Sequence, residues 1–259
     1  MVILLAESKS MSANQVSIEK SVFENHMPVL EELADQTMSF LAEQYPDRIS
    51  EILGVSTIMA KNILKLAYDF PLKSTGYKAI EGFTGVAYRV LAAKSLSSQA
   101  LESANNNLRI ISSLYGILKP EDIIKPYRLD FNKNCGPDNS NIIKYLKPKT
   151  TIAFSKFIKE NNVNEVLDLL PADATKCLDW KIIKAFTKVN KVCFQTLTVK
   201  GTLKTPSATR IKELRGLMAR LILQKNITSL TDLIQEENEN FIFSAQDSKP
   251  GLPVFLSME

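Results

Sequence analysis

The side chains best suited to chemistry sit in one apolar stretch, residues 107–131. It holds Leu108-Arg-Ile-Ile-Ser-Ser-Leu-Tyr-Gly-Ile-Leu-Lys-Pro and, further on, Pro126-Tyr-Arg-Leu. Arg109, Tyr115, Tyr127 and Arg128 place two guanidinium forks and two phenols among aliphatic neighbours. An unpaired buried donor is costly, so these groups either close on one another as a polar knot in the core or form the wall of a site. If they form a wall, the chemistry is anion binding. A guanidinium clamps carboxylate or phosphate with two parallel hydrogen bonds, and a phenol donates a further one or stacks on a base. Lys9 follows the first apolar segment and suits the same task. A lysine of depressed pKa serves as base or nucleophile, and Asp130 and Asp173 supply proton-transfer groups.

Two further segments bear on polyanions. From Lys181 to Lys225 eleven residues are basic, among them Lys212, Arg215 and Arg220, and Glu213 alone is acidic. Such a run is an electrostatic footprint for nucleic acid or a set of solvated faces. Residues 49–70 read as a short helix, a turn at Gly54 and a second helix with Ser56 as N-cap. The core of this hairpin, 52–63, resembles the helix-hairpin-helix motif, in which turn amides at a helix N-terminus hold a phosphate. Ala60 lies where two helices approach closely, and Lys61 and Lys65 add positive charge one turn apart. Ser56 replaces the second glycine of that motif. The alternative is an ordinary helical hairpin packed by Ile, Leu and Met.

Other chemistries are excluded. The single His26, in a loop before a helix, reads as a surface residue, and Cys135, Cys177 and Cys193 lack metal-ligand spacing, so no metal or cofactor is expected. The glycines fit neither a Walker loop nor a dinucleotide fingerprint. No apolar run approaches the roughly 20 residues that span a bilayer. The opening Met-Val-Ile-Leu-Leu-Ala lacks a preceding basic segment and reads as a core strand. With unpaired cysteines, the expectation is a cytoplasmic protein with no membrane partner.

The supporting elements follow from periodicity. Residues 2–6 form a buried strand, and 7–17 a loop of the kind that lines clefts at strand ends. Helices are expected over 28–44, 90–94, 97–107, 142–161, 180–186 and 209–224, with a short one opened by Pro120. Strands are expected at 108–112, 163–170 and 192–199, followed by a terminal hairpin over 241–244 and 254–256. At 259 residues, with 45% hydrophobic content, the chain suffices for one sizeable core. The fold class is mixed α/β, a single compact domain with a mixed β-sheet and surrounding helices.

Several of these segments coincide in one family. The strand and loop with Lys9, the Phe83-x-Gly85-x-x-Tyr88 pattern, the Leu-Tyr-Gly…Lys-Pro…Pro-Tyr-Arg block and Lys212-Glu-Leu-Arg-Gly-Leu-Met-Ala-Arg220 together resemble the bacterial peroxide-stress protein YaaA family. The resemblance covers nearly the whole chain. It implies a positively charged cleft, binding of double-stranded or distorted DNA, and protection against peroxide damage. Carried over by position, the anion-binding residues are Lys9, Arg109, Tyr115, Tyr127, Arg128, Lys212 and Arg215, with Gly54, Ser56 and Lys61 in the hairpin. A monomer is expected. An enzyme acting on a small phosphate- or carboxylate-bearing molecule in the same cleft is the alternative. Of the seven cleft residues, Arg109 is the one best explained otherwise, as a buried ion pair. Departures mark a divergent member. Glu7-Ser8-Lys9 stands where the family usually has Pro-Ala-Lys, and Pro171-Ala-Asp-Ala-Thr-Lys replaces a small polar segment with Ser, Glu and Tyr.

Overall fold

The computed structural model describes residues 1–12, 16–17, 26–72 and 75–258. The remainder of the expected 7–17 loop lies outside those residues. The strands are β1 (Val2–Ala6), β2 (Val16–Ser17), β3 (Thr75–Lys78), β4 (Leu108–Ser112), β5 (Gly116–Leu118), β6 (Ile123–Ile124), β7 (Glu165–Asp168), β8 (Lys188–Lys191), β9 (Cys193–Leu197), β10 (Leu203–Lys204), β11 (Ile242–Lys249) and β12 (Leu252–Met258).

The central sheet runs β5-β4-β1-β7-β8. β1 pairs in parallel with β4 on one side and β7 on the other, and β8 continues the parallel set beyond β7. Strands buried on both faces require uninterrupted apolar sequence. Accordingly Val2, Ile3, Leu4 and Leu5 are at most 2% exposed. Gly116, at a left-handed φ of 70°, turns the chain from β4 into antiparallel β5. A second sheet, β10-β9-β12-β11, carries the terminal hairpin, and a third joins β2, β3 and β6.

The helix Glu31–Ala42 falls within the expected 28–44, and Ile142–Glu160 and Ala208–Lys225 match their expected ranges closely. Ser97 accepts a hydrogen bond from the Ala100 amide and caps Ser98–Asn107. Two expectations fail because side chains bond to backbone groups there. The Pro120 segment is not helical: the Asp122 carboxylate accepts the Lys119 amide at 2.8 Å, forming a turn, and the chain passes into β6. The helix placed at 90–94 instead spans Val86–Leu91. Arg220 terminates it by donating to the carbonyls of Leu91 (2.7 Å) and Ala92 (3.3 Å), with Ala92 at φ 47°. Among the described residues no helix is long and apolar enough to cross a membrane.

Candidate functional site

β1 has its two parallel neighbours on opposite sides, so the chain reverses direction across the sheet there. In such sheets a crevice opens outside the carboxyl ends of the strands. At this edge, polar residues follow each apolar strand directly: Glu7 after β1, Ser112 and Ser113 at the end of β4, and Asp168 at the end of β7.

Glu7 is the hub. Its amide extends the ladder to the Ile111 carbonyl at 2.9 Å, which fixes the side chain beside β4. Ser113 Oγ and the Tyr127 hydroxyl each donate to its carboxylate. The direction of these protons is determined. Ser112 Oγ accepts the amides of Leu114 and Tyr115, both at 3.0 Å, so its own proton goes to the Tyr127 oxygen 2.7 Å away. Tyr127 then directs its proton to Glu7. The residue keeps some accessible surface, but its carboxyl is crowded by protein. That burial pushes its pKa above the usual glutamate range, and the two hydroxyls pull it only partway back. Burial, aided by the neighbouring Glu7 charge, also holds Tyr88 and Tyr127 well above their usual range.

The loop after Glu7 brings Lys9 and Arg128 together. Lys9 Nζ pairs with Asp130 at 2.5 Å, and Arg128 donates to the Lys9 carbonyl at 3.3 Å. Ser8 Oγ accepts the Gly85 amide at 3.0 Å, and a Cβ at Gly85 would fall 2.5 Å from Ser8 Cβ. Beyond the end of β7, Arg215 donates to the Leu170 carbonyl at 3.3 Å, beside buried Asp168. Desolvation raises the Asp168 carboxyl and lowers the Arg215 guanidinium, and the opposite charge of each offsets the shift of the other. Lys212 is exposed one turn earlier on the same helix face. Cys135 and Cys177 are fully buried, and desolvation pushes both thiols up to about 12. Neutral thiols of this kind are poor targets for peroxide.

Tyr127 reaches Glu7 only with its hydroxyl, its ring being buried, and Tyr115 and Arg109 lie away from Lys9. Tyr115 and Tyr127 are 1% and 5% exposed, inside an aromatic run that links Phe70, Tyr115, Tyr127, Phe83 and Tyr88. The Tyr115 hydroxyl accepts the Lys125 amide at 3.0 Å. Neither ring is open to stack on a base. Arg109 opens onto the opposite, amino-terminal edge of the sheet, away from Lys9.

The hairpin joins helix Pro46–Leu53 to helix Thr57–Asp69 through Gly54, which is left-handed at φ 63°. Ser56 caps the second helix by accepting the Met59 amide at 3.3 Å, Ala60 is fully buried, and Lys61 is exposed. Lys133 Nζ lies 3.1 Å from where a Gly54 Cβ would stand. Lys133 is three residues beyond Asp130, so the hairpin adjoins the crevice through that loop.

Sequence reasoning missed Glu7, Ser113 and Asp168 as site members. The available signal was a polar residue immediately after each of three apolar strands.

Residues 1–247 match the family model described as Peroxide stress protein YaaA. A UPF0246 protein of Shewanella denitrificans is 33% identical over 236 residues, covering 88% of this chain and 89% of its own length. One from Shewanella pealeana is 29% identical over 239 residues, covering 90% and 91%. A UPF0246 protein of Francisella philomiragia is 24% identical over 259 residues, covering 98% and 99%.

Proposed function

The chain belongs to the peroxide stress protein YaaA family, and from that premise we propose that it acts in the peroxide stress response by binding DNA through its phosphate backbone. The observation that carries this reading is the Lys133 ammonium beside left-handed Gly54, where the hairpin turn meets the loop leading to Lys9 and Arg128. Turn amides at a helix N-terminus together with adjacent lysines form a phosphate site, and Lys212 and Arg215 extend positive charge across the crevice. Such contacts give affinity without base reading. Location in the cytoplasm and a monomeric state accompany this reading.

Changing Lys61 and Lys133 together to Ala is expected to weaken duplex binding about tenfold near 100 mM salt. It should also make the slope of log Kd against log salt shallower by about 1–2, one phosphate contact being lost per lysine. Fluorescence anisotropy over a salt series on matched and mismatched duplexes reads both quantities. Affinity unchanged by the double substitution, or insensitive to salt, would remove the hairpin from the interface.

A second reading is favoured by Glu7. A crowded carboxyl with raised pKa, at the reversal of strand order and held by two hydroxyl donors, is arranged for general acid–base work on a small phosphate- or carboxylate-bearing molecule. A catalytic carboxylate is held there against stability, whereas a structural one contributes to it. Gln is isosteric: its oxygen takes the Tyr127 proton, and Ser113 turns to accept from its amide. Glu7→Gln is therefore expected to melt at or above the wild-type temperature at pH 8. A fall of several degrees would make Glu7 a structural knot and dismiss the acid–base role.

A further inference from the structure

A large cavity opens at the amino-terminal edge of the central sheet, opposite Glu7. Its volume is about 1080 Å³, and Arg109 lies in its wall. Arg109 is 5% exposed. Its Nη1 donates to the Asn105 carbonyl at 2.9 Å and the Leu108 carbonyl at 2.6 Å, and the guanidinium carbon stands 3.8 Å from the Phe157 ring centroid. These contacts fix the plane of the fork. They do not neutralise it: among the described residues Arg109 forms no ion pair, and both hydrogen bonds are made by Nη1.

The neighbouring carboxylates have other partners. Glu121 accepts from Asn105 Nδ2 at 3.0 Å, Asp122 accepts the Lys119 amide at 2.8 Å, and Glu160 pairs with Lys156 at 3.7 Å. Glu121 and Asp122 act on Arg109 through space and favour its charged form, but burial outweighs them and lowers its pKa to about 10. A charge desolvated this far without a carboxylate in contact is costly, and such charges in proteins are paired or bind a ligand. Asn106 and Asn107, at the end of the Ser98–Asn107 helix, and Asn162, in the turn after Ile142–Glu160, also line the cavity and offer neutral donors and acceptors.

We propose that this cavity binds a small anion bearing a phosphate or carboxylate group together with hydroxyl substituents, clamped by Arg109. The charged group meets the free edge of the guanidinium fork, Phe157 backs the fork, and the asparagine amides meet the hydroxyls. The site is separate from the Glu7 crevice and the hairpin, so it stands whether or not the protein binds DNA.

Titration calorimetry of the full chain with glucose 6-phosphate, adenosine monophosphate, citrate and inorganic phosphate tests the proposal and separates phosphate from carboxylate ligands. At least one organic anion is expected to bind more tightly than inorganic phosphate. Arg109→Gln is expected to weaken that binding by at least about tenfold, the loss of one charge-assisted bidentate contact. Ala153→Phe narrows the cavity while keeping the Arg109 side chain and is expected to abolish binding. DNA affinity should be the same in wild type and both variants. Absence of binding by all four compounds up to about 10 mM, an affinity weaker than about 3 kcal/mol, overturns the proposal. Undiminished binding in either variant also overturns it. If Arg109→Gln fails to fold, Ala153→Phe decides alone.

Discussion

Gly216→Ala is expected to lower the melting temperature by about 6 °C or more and to weaken binding at the crevice in the fraction that stays folded. Gly216 sits in the middle of the Ala208–Lys225 helix, where Ala would ordinarily be preferred by about 1 kcal/mol. Here that preference is overruled by contact. A Cβ at this position would overlap the Ala87 carbonyl oxygen outright and would stand 2.6 Å from Val90 Cγ2 and 2.8 Å from the Ala87 carbonyl carbon. Two of those atoms are backbone of the Val86–Leu91 helix and cannot rotate aside. Overpacking of this kind typically costs about 1–3 kcal/mol, and a backbone clash lies at or beyond the upper end. In a chain of this size about 3 kcal/mol corresponds to a shift near 6 °C.

The same contact positions the site. Arg220, one turn after Gly216, caps the Val86–Leu91 helix, and Arg215, one residue before it, reaches the Leu170 carbonyl beside Asp168. Separating the two helices shifts both arginines together. Thermal melting gives the stability, and DNA anisotropy or ligand calorimetry on folded material gives the second effect. A melting temperature above wild type would mean that helix propensity wins and that the approach is looser than the geometry requires.

The sequence made the scaffold legible where a single physical signal was strong. β1 is an unbroken aliphatic run, Ser97 is an N-cap, and the Ala208–Lys225 helix carries apolar residues on one side and cations on the other. Its errors came from side chains that bond to backbone groups, whether near or far along the chain. Asp122 turns the Pro120 segment with its own carboxylate, and Arg220 ends a helix 129 residues away. The site was legible only in part for the same reason. Lys9, Tyr127 and Arg128 do converge, because the end of β1 abuts the 126–130 segment. Tyr115 and Arg109 belong to the same stretch of sequence but not to the same place. A strand delivers its two ends to opposite edges of the sheet, so Arg109 near the start of β4 and Ser112 at its end serve different edges. Only the strand order, which no local pattern encodes, reveals which polar residues share the crevice with Glu7.

Asp122→Asn is expected to stabilise the protein above pH 7 and to leave it unchanged near pH 4. Asp122 is 5% exposed, and burial raises its carboxyl from 3.8 to about 7 despite the opposing Lys119 amide and the charges of Lys119 and Arg109. Between these values the folded state keeps a proton that the unfolded state has released. Stability therefore declines as pH rises from about 4 to about 7, and the loss is complete above 7. The gap corresponds to roughly 4 kcal/mol at about 1.4 kcal/mol per pH unit, and solvent and structural relaxation bring the expected effect to about 1–3 kcal/mol. Asn reproduces the neutral form and still accepts the Lys119 amide. The difference between variant and wild type should open across pH 4–7 and stay constant above it, at about 2–6 °C in melting temperature at pH 8. Glu7, whose carboxyl is also raised, contributes a decline of the same sign beginning near its unfolded value of 4.5. The two separate in the double variant with Glu7→Gln, whose stability should change less with pH than that of either single variant. A stability difference that is flat from pH 4 to pH 8 would show that Asp122 is ionised throughout. Its attraction to Arg109 would then outweigh burial, and Arg109 would already have its counter-charge within the protein.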